Sequence, residues 1–404
     1  MATMGLLLRP LDVLLFRDAR PFGVGDSGRS QFPLPQTFAG LIKTYLTHKF
    51  DWRSRDWHGN HSRPEGLRSL PEVERPWHAR LKMRGPWVFA EDVTANGERV
   101  PKGPLVPTPA DVIRLGKGKE TPLDRLRPLS DVDTKQLPDW NPPVADMRPM
   151  WLNGRDSPVA ASGLLDVDQL RTYLAGDVPG KTHSLDTFAL IEQRTGIGID
   201  ADRLTADQEQ GLIYSATFWR LCHGVCFYAE VELPDSVCLP GPRGEPVPNL
   251  VELFSDGLHL PWGGEGRRVA IERVAQPFDW QSLQPTGIEH QRLTVLVTPG
   301  IFSNAAHPWH PTQCGTLRGA VIPKPQPVSG WDVAGVAERG QTPSPRPTRF
   351  AVPAGAVYLW ERGARTSDDG VPPPLESLCD RPQDKDYGWG LILNGRWSEC
   401  TFTT

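Results

Sequence analysis

Cysteine, net positive charge and long apolar runs are all scarce in this sequence. Only six of the 404 residues are cysteine, too few for a disulfide scaffold, so reduced thiols in a cytoplasmic protein are the simplest interpretation. The formal net charge is −4, which excludes a protein that binds nucleic acid through its overall charge. No run of about 18 apolar residues occurs, which excludes a membrane-spanning helix.

The apolar start of the chain does not have the form of a signal peptide. Arg9 and Asp12 interrupt the sequence MGLLLRPLDVLLF, and no small-residue cleavage site follows it. Its leucine and valine content is typical of a strand instead. Residues 5–16 therefore predict a buried strand.

Proline, glycine and aromatic residues are plentiful. The chain has 42 Pro and 39 Gly beside 14 Trp and 14 Phe, which indicates long irregular loops on an ordinary core rather than general disorder. Residues 1–102 carry 16 Lys and Arg against 11 Asp and Glu, a net +5, so the remainder carries −9 of the total of −4. This distribution fits one cationic face, with other faces free for protein partners.

The first part of the chain predicts a strand, a loop and a helix. A polar loop at 17–32 follows the first strand, and apolar residues then recur at helical spacing. These residues are Phe38, Leu41, Ile42 and Leu46. From 51 to 190, prolines cluster and charges of both signs mix, so we interpret this region as a long irregular insertion. Within it, a strand near Trp87–Ala90 and a helix near Val167–Leu174 are predicted.

Regular patterns return after the insertion. Two β-rich runs, Ile213–Leu221 and Val225–Leu233, flank a short turn and predict a hairpin. Residues 249–258 then place leucine and phenylalanine side chains on one helical face, with Asn249 as a cap.

A last strand at 269–274 completes the first domain. The order β-α-(insertion)-β-β-α-β over residues 1–275 is that of a ferredoxin-like domain. A second β-rich part covers 288–404 and has only a weak helix candidate, at Pro373–Leu378. Its candidate strands are Leu293–Thr298, Gly319–Pro323, Ala354–Glu361 and Gly390–Asn394.

The stretch PWGGEGRRVAIERV at 261–274 raises the question of phosphate binding. Its distinctive residues are Gly263, Gly264, Gly266, Arg267 and Arg268. Nucleotide sites run strand, glycine loop, helix, whereas a predicted helix precedes this loop and a strand follows it, and no G-x-x-x-x-G-K-[ST] occurs. Two interpretations stay open: a loop that a nucleic-acid backbone approaches closely, or a tight packing turn with two solvated arginines. A ferredoxin-like sheet is a common RNA platform, which favours the first.

Seven short motifs, taken together, resemble a known family. They are similar in kind and order to the third subunit of the Cmr complex, the type III-B CRISPR effector, a member of the RAMP superfamily. The motifs are FRDARPFG (16–23), PLPQTFAG (33–40), RTGIGID (194–200), LPWGGEGRR (260–268), PVSGWD (327–332), PTRFAVPAGAVY (347–358) and YGWGL (387–391). They occur towards both ends of the chain and leave about 50–190 uncovered.

The resemblance implies an α+β fold of two ferredoxin-like (RRM-like) domains, 1–275 with the long insertion at about 51–190, and 288–404. It implies a subunit without catalysis, cofactor or metal that grips the 5′ handle of the guide RNA at the foot of a ribonucleoprotein. The partners it implies are the large polymerase-like subunit and the repeated backbone subunit. Target RNA is met only indirectly, and no membrane is involved.

The resemblance also implies RNA contacts residue by residue. The first loop would supply Arg17, Arg20, Phe22, Gly23, Ser27 and Arg29. A thumb-like element would supply Arg194, Thr195 and Ile197, and the second domain would supply Ser329, Trp331 and Arg349. All five distinctive residues of the glycine loop would also contact RNA. An alternative for Arg17 is an ion pair with Asp18. For Ile197 and Trp331 the alternative is a place in the core.

A related branch of the superfamily cuts precursor guide RNA with a histidine near the first helix, so an endoribonuclease is the alternative function. Such cleavage needs an acid or base within reach of the 2′-OH. The loop at 17–30 contains no histidine; His48 lies at the predicted helix end, and His58, His61 and His78 lie in the insertion. None has a convincing partner, which argues against the nuclease.

Zinc binding is also disfavoured. Cys222, His223 and Cys226 offer at most three ligands on a predicted hairpin, with no second pair at finger-like spacing. Buried apolar thiols are the favoured interpretation. The sequence HPWH at 307–310 is interpreted as a loop.

Overall fold

The chain forms two compact units, each built from three separate segments. The computed structural model describes residues 2–17, 27–28, 30–52, 70–93, 99–116, 121–153, 158–197, 213–237, 239–288, 290–303, 309–311, 315–332, 344–345, 347–361 and 371–402. Unit 1 comprises Met1–Phe89, Asp186–Pro277 and Pro327–Phe350, and unit 2 comprises Ala90–Leu185, Phe278–Gln326 and Ala351–Thr404. The domain bounds inferred from the sequence, 1–275 and 288–404, stay a prediction.

Strands dominate both units. Unit 1 contains β1 (Ala2–Pro10), β2 (Ser27–Gly28), α1 (Pro35–Lys49), β3 (Lys82–Val93), β11 (Ala189–Ile197), β12 (Ile213–Leu221), β13 (Val225–Leu233), α4 (Leu250–Leu253), β14 (Leu258–Pro261), β15 (Arg268–Val274), β18 (Gln326–Val328), β19 (Trp331–Asp332), β20 (Ser344–Pro345) and β21 (Arg349–Ala351), with most of β3, β18 and β21 inside its bounds. Unit 2 contains β4 (Arg99–Pro107), β5 (Val112–Leu115), β6 (Leu123–Arg125), β7 (Arg127–Pro128), α2 (Asp131–Thr134), β8 (Met150–Trp151), β9 (Pro158–Ala160), β10 (Leu164–Leu165), α3 (Val167–Leu174), β16 (Gln291–Leu296), β17 (Thr316–Val321), β22 (Val357–Glu361), α5 (Pro382–Asp386) and β23 (Ile392–Gly395). Within the described ranges, every helix is too short or too polar to cross a membrane.

The main sheet of unit 1 has β1 at its centre. The strand order is β3-β13-β1-β15-β14, and β1 pairs antiparallel with both neighbours, with Leu6 opposite Ala229 and Arg273. Leu6 is fully buried, and every residue from Met4 to Leu8 is buried, so both faces of the strand are covered there. The predicted first strand is thus confirmed, although it covers Ala2–Pro10 instead of 5–16.

The predicted hairpin at 213–233 is wrong. β12 and β13 follow one another across a short turn, yet they belong to different sheets. β13 is buried along all but its first residue and lies between β3 and β1 in the main sheet. It packs against β3, since the rings of Trp87 and Phe89 lie 6.2 and 5.6 Å from that of Tyr228. β12 instead pairs antiparallel with β11, and the ferredoxin-like assignment stays a prediction.

The helices of unit 1 are confirmed in one case and shorter than predicted in the other. The four predicted core residues of α1, Phe38, Leu41, Ile42 and Leu46, are all buried. Asn249 caps α4 by accepting from the N–H of Val251 at 3.0 Å. The helix predicted at 249–258 nevertheless ends at Leu253, because the backbone of Phe254 is extended, and Leu258 begins β14.

The larger sheet of unit 2 is antiparallel with the order β17-β22-β16-β23. These are the four strands predicted for the C-terminal part, with ends shifted by a few residues. Its core includes Leu296, Phe302, Tyr358 and Ile392. The helix candidate at Pro373–Leu378 is wrong: this segment is not helical, and Leu375 has φ of 60°.

Residues 51–190 are more regular than the sequence indicated. Their described part contains β3 to β10, α2 and α3, among them the strand predicted near Trp87 and the helix predicted at Val167–Leu174. Asp166 caps α3 by accepting from the N–H of Gln169 at 2.9 Å. Tyr173 in the last turn is fully buried.

Candidate functional site

The glycine loop is the turn of a β-hairpin. β14 and β15 pair up to Pro261 opposite Arg268, and the N–H of Trp262 donates to the carbonyl of Arg267 at 2.7 Å. β14 therefore lies between the short helix α4 and the loop, and the predicted order of helix, glycine loop and strand is wrong. Gly263 and Gly266 have φ of 86° and 63°, which explains glycine at both positions.

Two of the three glycines pack against the chain itself. The N–H of Gly264 donates to the carbonyl of Leu15 at 2.7 Å, and a Cβ on Gly263 would lie 2.5 Å from the same oxygen. A Cβ on Gly266 would meet nothing within 4 Å among the described residues. The packing interpretation thus holds for Gly263 and Gly264, which fix the loop beside the segment that follows β1.

Fixing the loop brings its first arginine into a charged group that we name the Asp12 cluster. Its members are Asp12, Glu192, Arg194, Arg220 and Arg267. The Asp12 carboxylate accepts from Arg194 at 3.3 Å, from Arg220 at 3.2 Å and from Arg267 at 3.2 Å. Glu192 accepts from the Nε atoms of Arg194 at 2.7 Å and Arg220 at 2.5 Å.

Strand register explains why these side chains meet. In the sheet β11-β12-β2, Glu192 lies opposite Phe218 and Arg194 opposite Ala216. Side chains two apart share a face of a strand, so Arg220 joins them there.

The aromatic ring of Phe218 lies against two of the arginines, Arg194 and Arg267. Phe218 is 2% exposed and packs with Val13, Leu15 and Ala216. The guanidinium carbons of Arg267 and Arg194 lie 4.9 and 5.4 Å from its ring centroid, within the range of a cation–π contact. The ring therefore holds two cations at the surface in defined positions.

The Asp12 cluster is open to solvent. The side chains of Asp12, Arg220 and Arg194 are 43%, 44% and 34% exposed. Its three guanidinium groups face the carboxylates of Asp12 and Glu192, and the carboxylate of Glu265 lies 3.7 Å from Arg267 at the edge, so the charges balance. An anion that binds here has to take the place of a carboxylate, and guanidinium groups prefer the oxygens of carboxylate or phosphate.

The arginines keep both carboxylates ionised. Partial burial alone would raise the pKa of Asp12, but the hydrogen bond from Arg194, the N–H of Val13 and the charge of Arg220 lower it below its ordinary value. Hydrogen bonds from Arg220 and Arg194 likewise lower the pKa of Glu192. Both groups are therefore negative at neutral pH.

The same sheet brings other predicted contact residues close. Ser215 on β12 lies opposite Thr195 on one side and Ser27 on the other, so the first loop, the predicted thumb and the glycine loop converge here. Ile197 ends β11. The remaining predicted residues of the first loop, Arg20, Phe22, Gly23 and Arg29, lie outside the described residues.

Arg17 lies at the start of the first loop, beside the residue at which the loop ends. It is exposed and forms a bridge with Ser30, whose Oγ also accepts from the N–H of Phe16 at 3.0 Å. The two ends of the loop therefore meet beside the sheet. Asp18, its alternative partner, lies outside the described residues.

Four predicted residues occupy other positions in unit 1. Arg268 is exposed and donates to the carbonyl of His259 at 2.7 Å. The carbonyl of Ser329 accepts from the Gln36 side chain at 2.9 Å. Trp331 belongs to the short ribbon β19-β20, and Arg349 begins β21, which pairs with β18.

Sequence reasoning missed three members of the Asp12 cluster. Asp12 is the only acidic residue in the apolar run at 5–16, which was a usable signal. Glu192 and Arg194 alternate along β11, and that spacing predicts a shared face once the strand is recognised. Arg220 carried no such signal, because its partner strand could not be assigned.

Histidines and cysteines of the described chain offer no comparable site. No group of three or more His, Cys, Asp or Glu there is placed to bind a metal ion. Of the histidines weighed for catalysis, His78 is fully buried, with its ring 5.1 Å from Trp52 and 6.0 Å from Trp77. Cys226 is buried, Cys222 is partly exposed, and neither forms a disulfide within the described part of the chain.

The CRISPR-associated protein family Cas_Cmr3 matches residues 6–397. No curated protein matches the chain. Among solved structures, a chain from a cryo-EM structure of type III-B Cmr-β bound to cognate target RNA and AMPPnP is 16% identical, with a TM-score of 0.46, covering 88% of this chain and 86% of that one. A chain of the Csm3-Csm4 subcomplex of the type III-A CRISPR-Cas interference complex is 10% identical, with a TM-score of 0.36, covering 96% and 98%. Because both TM-scores are below 0.5, the assignment of the chain to a family rests on the family match.

Proposed function

The chain belongs to the CRISPR-associated protein family Cas_Cmr3, and from this premise we propose that it is a non-catalytic, RNA-binding subunit of a type III-B CRISPR effector complex. In this role it anchors the 5′ handle of the guide RNA at the foot of the complex. It lies beside the large polymerase-like subunit and abuts the repeated backbone subunit. Target RNA meets it only through the guide, whose body is read by base pairing.

The observation that supports RNA binding is the convergence on the Asp12 cluster. Arg194 and Arg267, assigned to RNA independently through two motifs, lie on the same aspartate and over the same Phe218 ring. Guanidinium groups held in this way donate to phosphate oxygens in forked geometry. The backbones of β12 and β2 pair at Ser215 and Ser27, which brings the end of the first loop into the same sheet.

Charge reversal at the Asp12 cluster tests this role. In a reconstituted effector complex, the double variant Arg194→Glu and Arg267→Glu should lower guide-RNA occupancy as salt is raised, because phosphate contacts dominate affinity and its salt dependence. Arg273→Glu is the matched control, since Arg273 is also exposed and ion-paired, with Asp256 at 2.8 Å. Full guide occupancy by the double variant at raised salt would remove the RNA role of this cluster.

The absence of catalysis is a separate part of the proposal. Its support is that the first loop lacks histidine and that His78 is buried among tryptophan rings, out of reach of a 2′-OH. Incubation of the purified chain with labelled repeat RNA in chelator should leave the RNA intact. Specific cleavage would favour the endoribonuclease instead.

A further inference from the structure

We infer that Asp12 is a specificity-determining residue that occupies the phosphate position of the arginine site and yields it only to a correctly seated RNA strand. The inference rests on the proposed RNA-binding function. Its carboxylate accepts from three guanidinium groups at 3.2–3.3 Å. A phosphodiester presents two oxygens with the same charge to the same kind of donor, so Asp12 and a phosphate compete for one place.

Asp12 is tethered at that place by the backbone on either side of it. The N–H of Leu11 donates to the carbonyl of Arg268 at 3.1 Å, and Leu14 exchanges two hydrogen bonds of 2.8 Å with Trp219. A tethered group competes at high effective concentration. An isolated phosphate therefore displaces it poorly, whereas an RNA that gains contacts elsewhere along the protein displaces it well.

Glu192 has a different position and keeps the site intact during the exchange. It accepts from the Nε atoms of Arg194 and Arg220, while Asp12 accepts from their terminal nitrogens. The Nε contacts hold two guanidinium groups in place when the terminal nitrogens change partner. Asp12 is thus the exchangeable anion and Glu192 the positioning one.

Removing the charge of Asp12 tests the inference on the full chain. The probes are a single-stranded RNA with the repeat-derived 5′ handle and polyuridylate of equal length. Asp12→Asn should tighten polyuridylate binding by about fivefold to tenfold and handle binding by less, because polyuridylate no longer meets a repulsive charge that a seated handle already displaces. The ratio of the two affinities should shrink.

Two variants separate this effect from general charge or folding. Asp256→Asn removes another exposed carboxylate that pairs with an arginine, and it should leave the affinity ratio at the wild-type value. Asp12→Glu keeps the charge and should keep the wild-type ratio. An Asp12→Asn chain that binds both RNAs more weakly, or with an unchanged ratio, overturns the inference.

Failure of the proposed function itself has a different signature. If Arg194→Gln and Arg267→Gln leave both affinities at the wild-type value, the cluster does not bind RNA and the inference falls with it. If these variants weaken binding while Asp12→Asn does not loosen specificity, RNA binding stands and only the role of Asp12 is overturned.

Discussion

Each unit contains an aspartate held by arginine, and the two sites differ in burial and in the number of arginines. In unit 2, Asp111 is 1% exposed and accepts from Arg125 at 3.0 and 3.1 Å and from the Tyr173 hydroxyl at 2.8 Å. Arg125 lies over the Tyr173 ring at 4.1 Å. In unit 1, Asp12 is exposed and shared by three arginines.

Burial decides which of these ion pairs can exchange partners. Burial alone would lower the pKa of Arg125, but the charge of Asp111 raises it above its ordinary value, so the buried charges depend on each other. One anion there matches one cation, and no partner can leave without exposing an unpaired charge in the interior. The charges of the Asp12 cluster face water instead, so a partner that leaves does not strand a charge in the interior. The first arrangement serves folding, and the second is suited to binding.

Replacing each aspartate in turn should give the largest difference between the two sites in the free energy of unfolding. Asp111→Asn leaves the buried Arg125 charge without its counter-ion and should destabilise unit 2 by about 3–5 kcal/mol. Asp12→Asn, on the surface, should change stability by less than about 1 kcal/mol. Urea unfolding of the full chain measures both, and comparable losses would contradict the distinction.

The glycine loop provides a second contrast inside unit 1. Gly263→Ala combines a left-handed backbone with a contact to Leu15 O, so it should destabilise the chain by about 2–3 kcal/mol. Gly266→Ala meets open space and should destabilise it by only about 1 kcal/mol. Thermal unfolding checks the order. Equal effects would mean that the loop is not fixed to the first segment.

Acid sensitivity is the smallest expected effect. Because the folded-state pKa of Asp12 lies below its ordinary value of 3.8, its stabilising contribution is present above that pH and is lost as the pH falls through the folded-state value. The difference in urea midpoint between wild type and Asp12→Asn should therefore shrink as the pH is lowered from about 6 to about 3. A difference that grows on acidification would contradict this assignment.

Local patterns in the sequence predicted local structure well. The spacing of Phe38, Leu41, Ile42 and Leu46 identified the buried face of α1, because helix periodicity depends only on near neighbours. The pairing of β13 with β3 was not predictable in this way. It joins a strand inside the long insertion to a strand that follows the insertion, and the short turn before β13 indicated β12 as its neighbour.

The candidate site was predicted in part for the same reason. Arg194 and Arg267 were identified through motifs, and the structure places them on one aspartate. Asp12, Glu192 and Arg220 were missed because their roles depend on strand register and on the loop contact at Leu15. The access of RNA to the glycine loop stays a prediction, and the structure shows that Gly263 and Gly264 pack against Leu15.

Cross-linking of the guide within the assembled effector complex is the most direct test of RNA anchoring by unit 1. With 4-thiouridine in the 5′ handle, mass spectrometry should find cross-links on peptides from 189–197, 213–221 and 262–268. Handle cross-links confined to other subunits would contradict the proposed function.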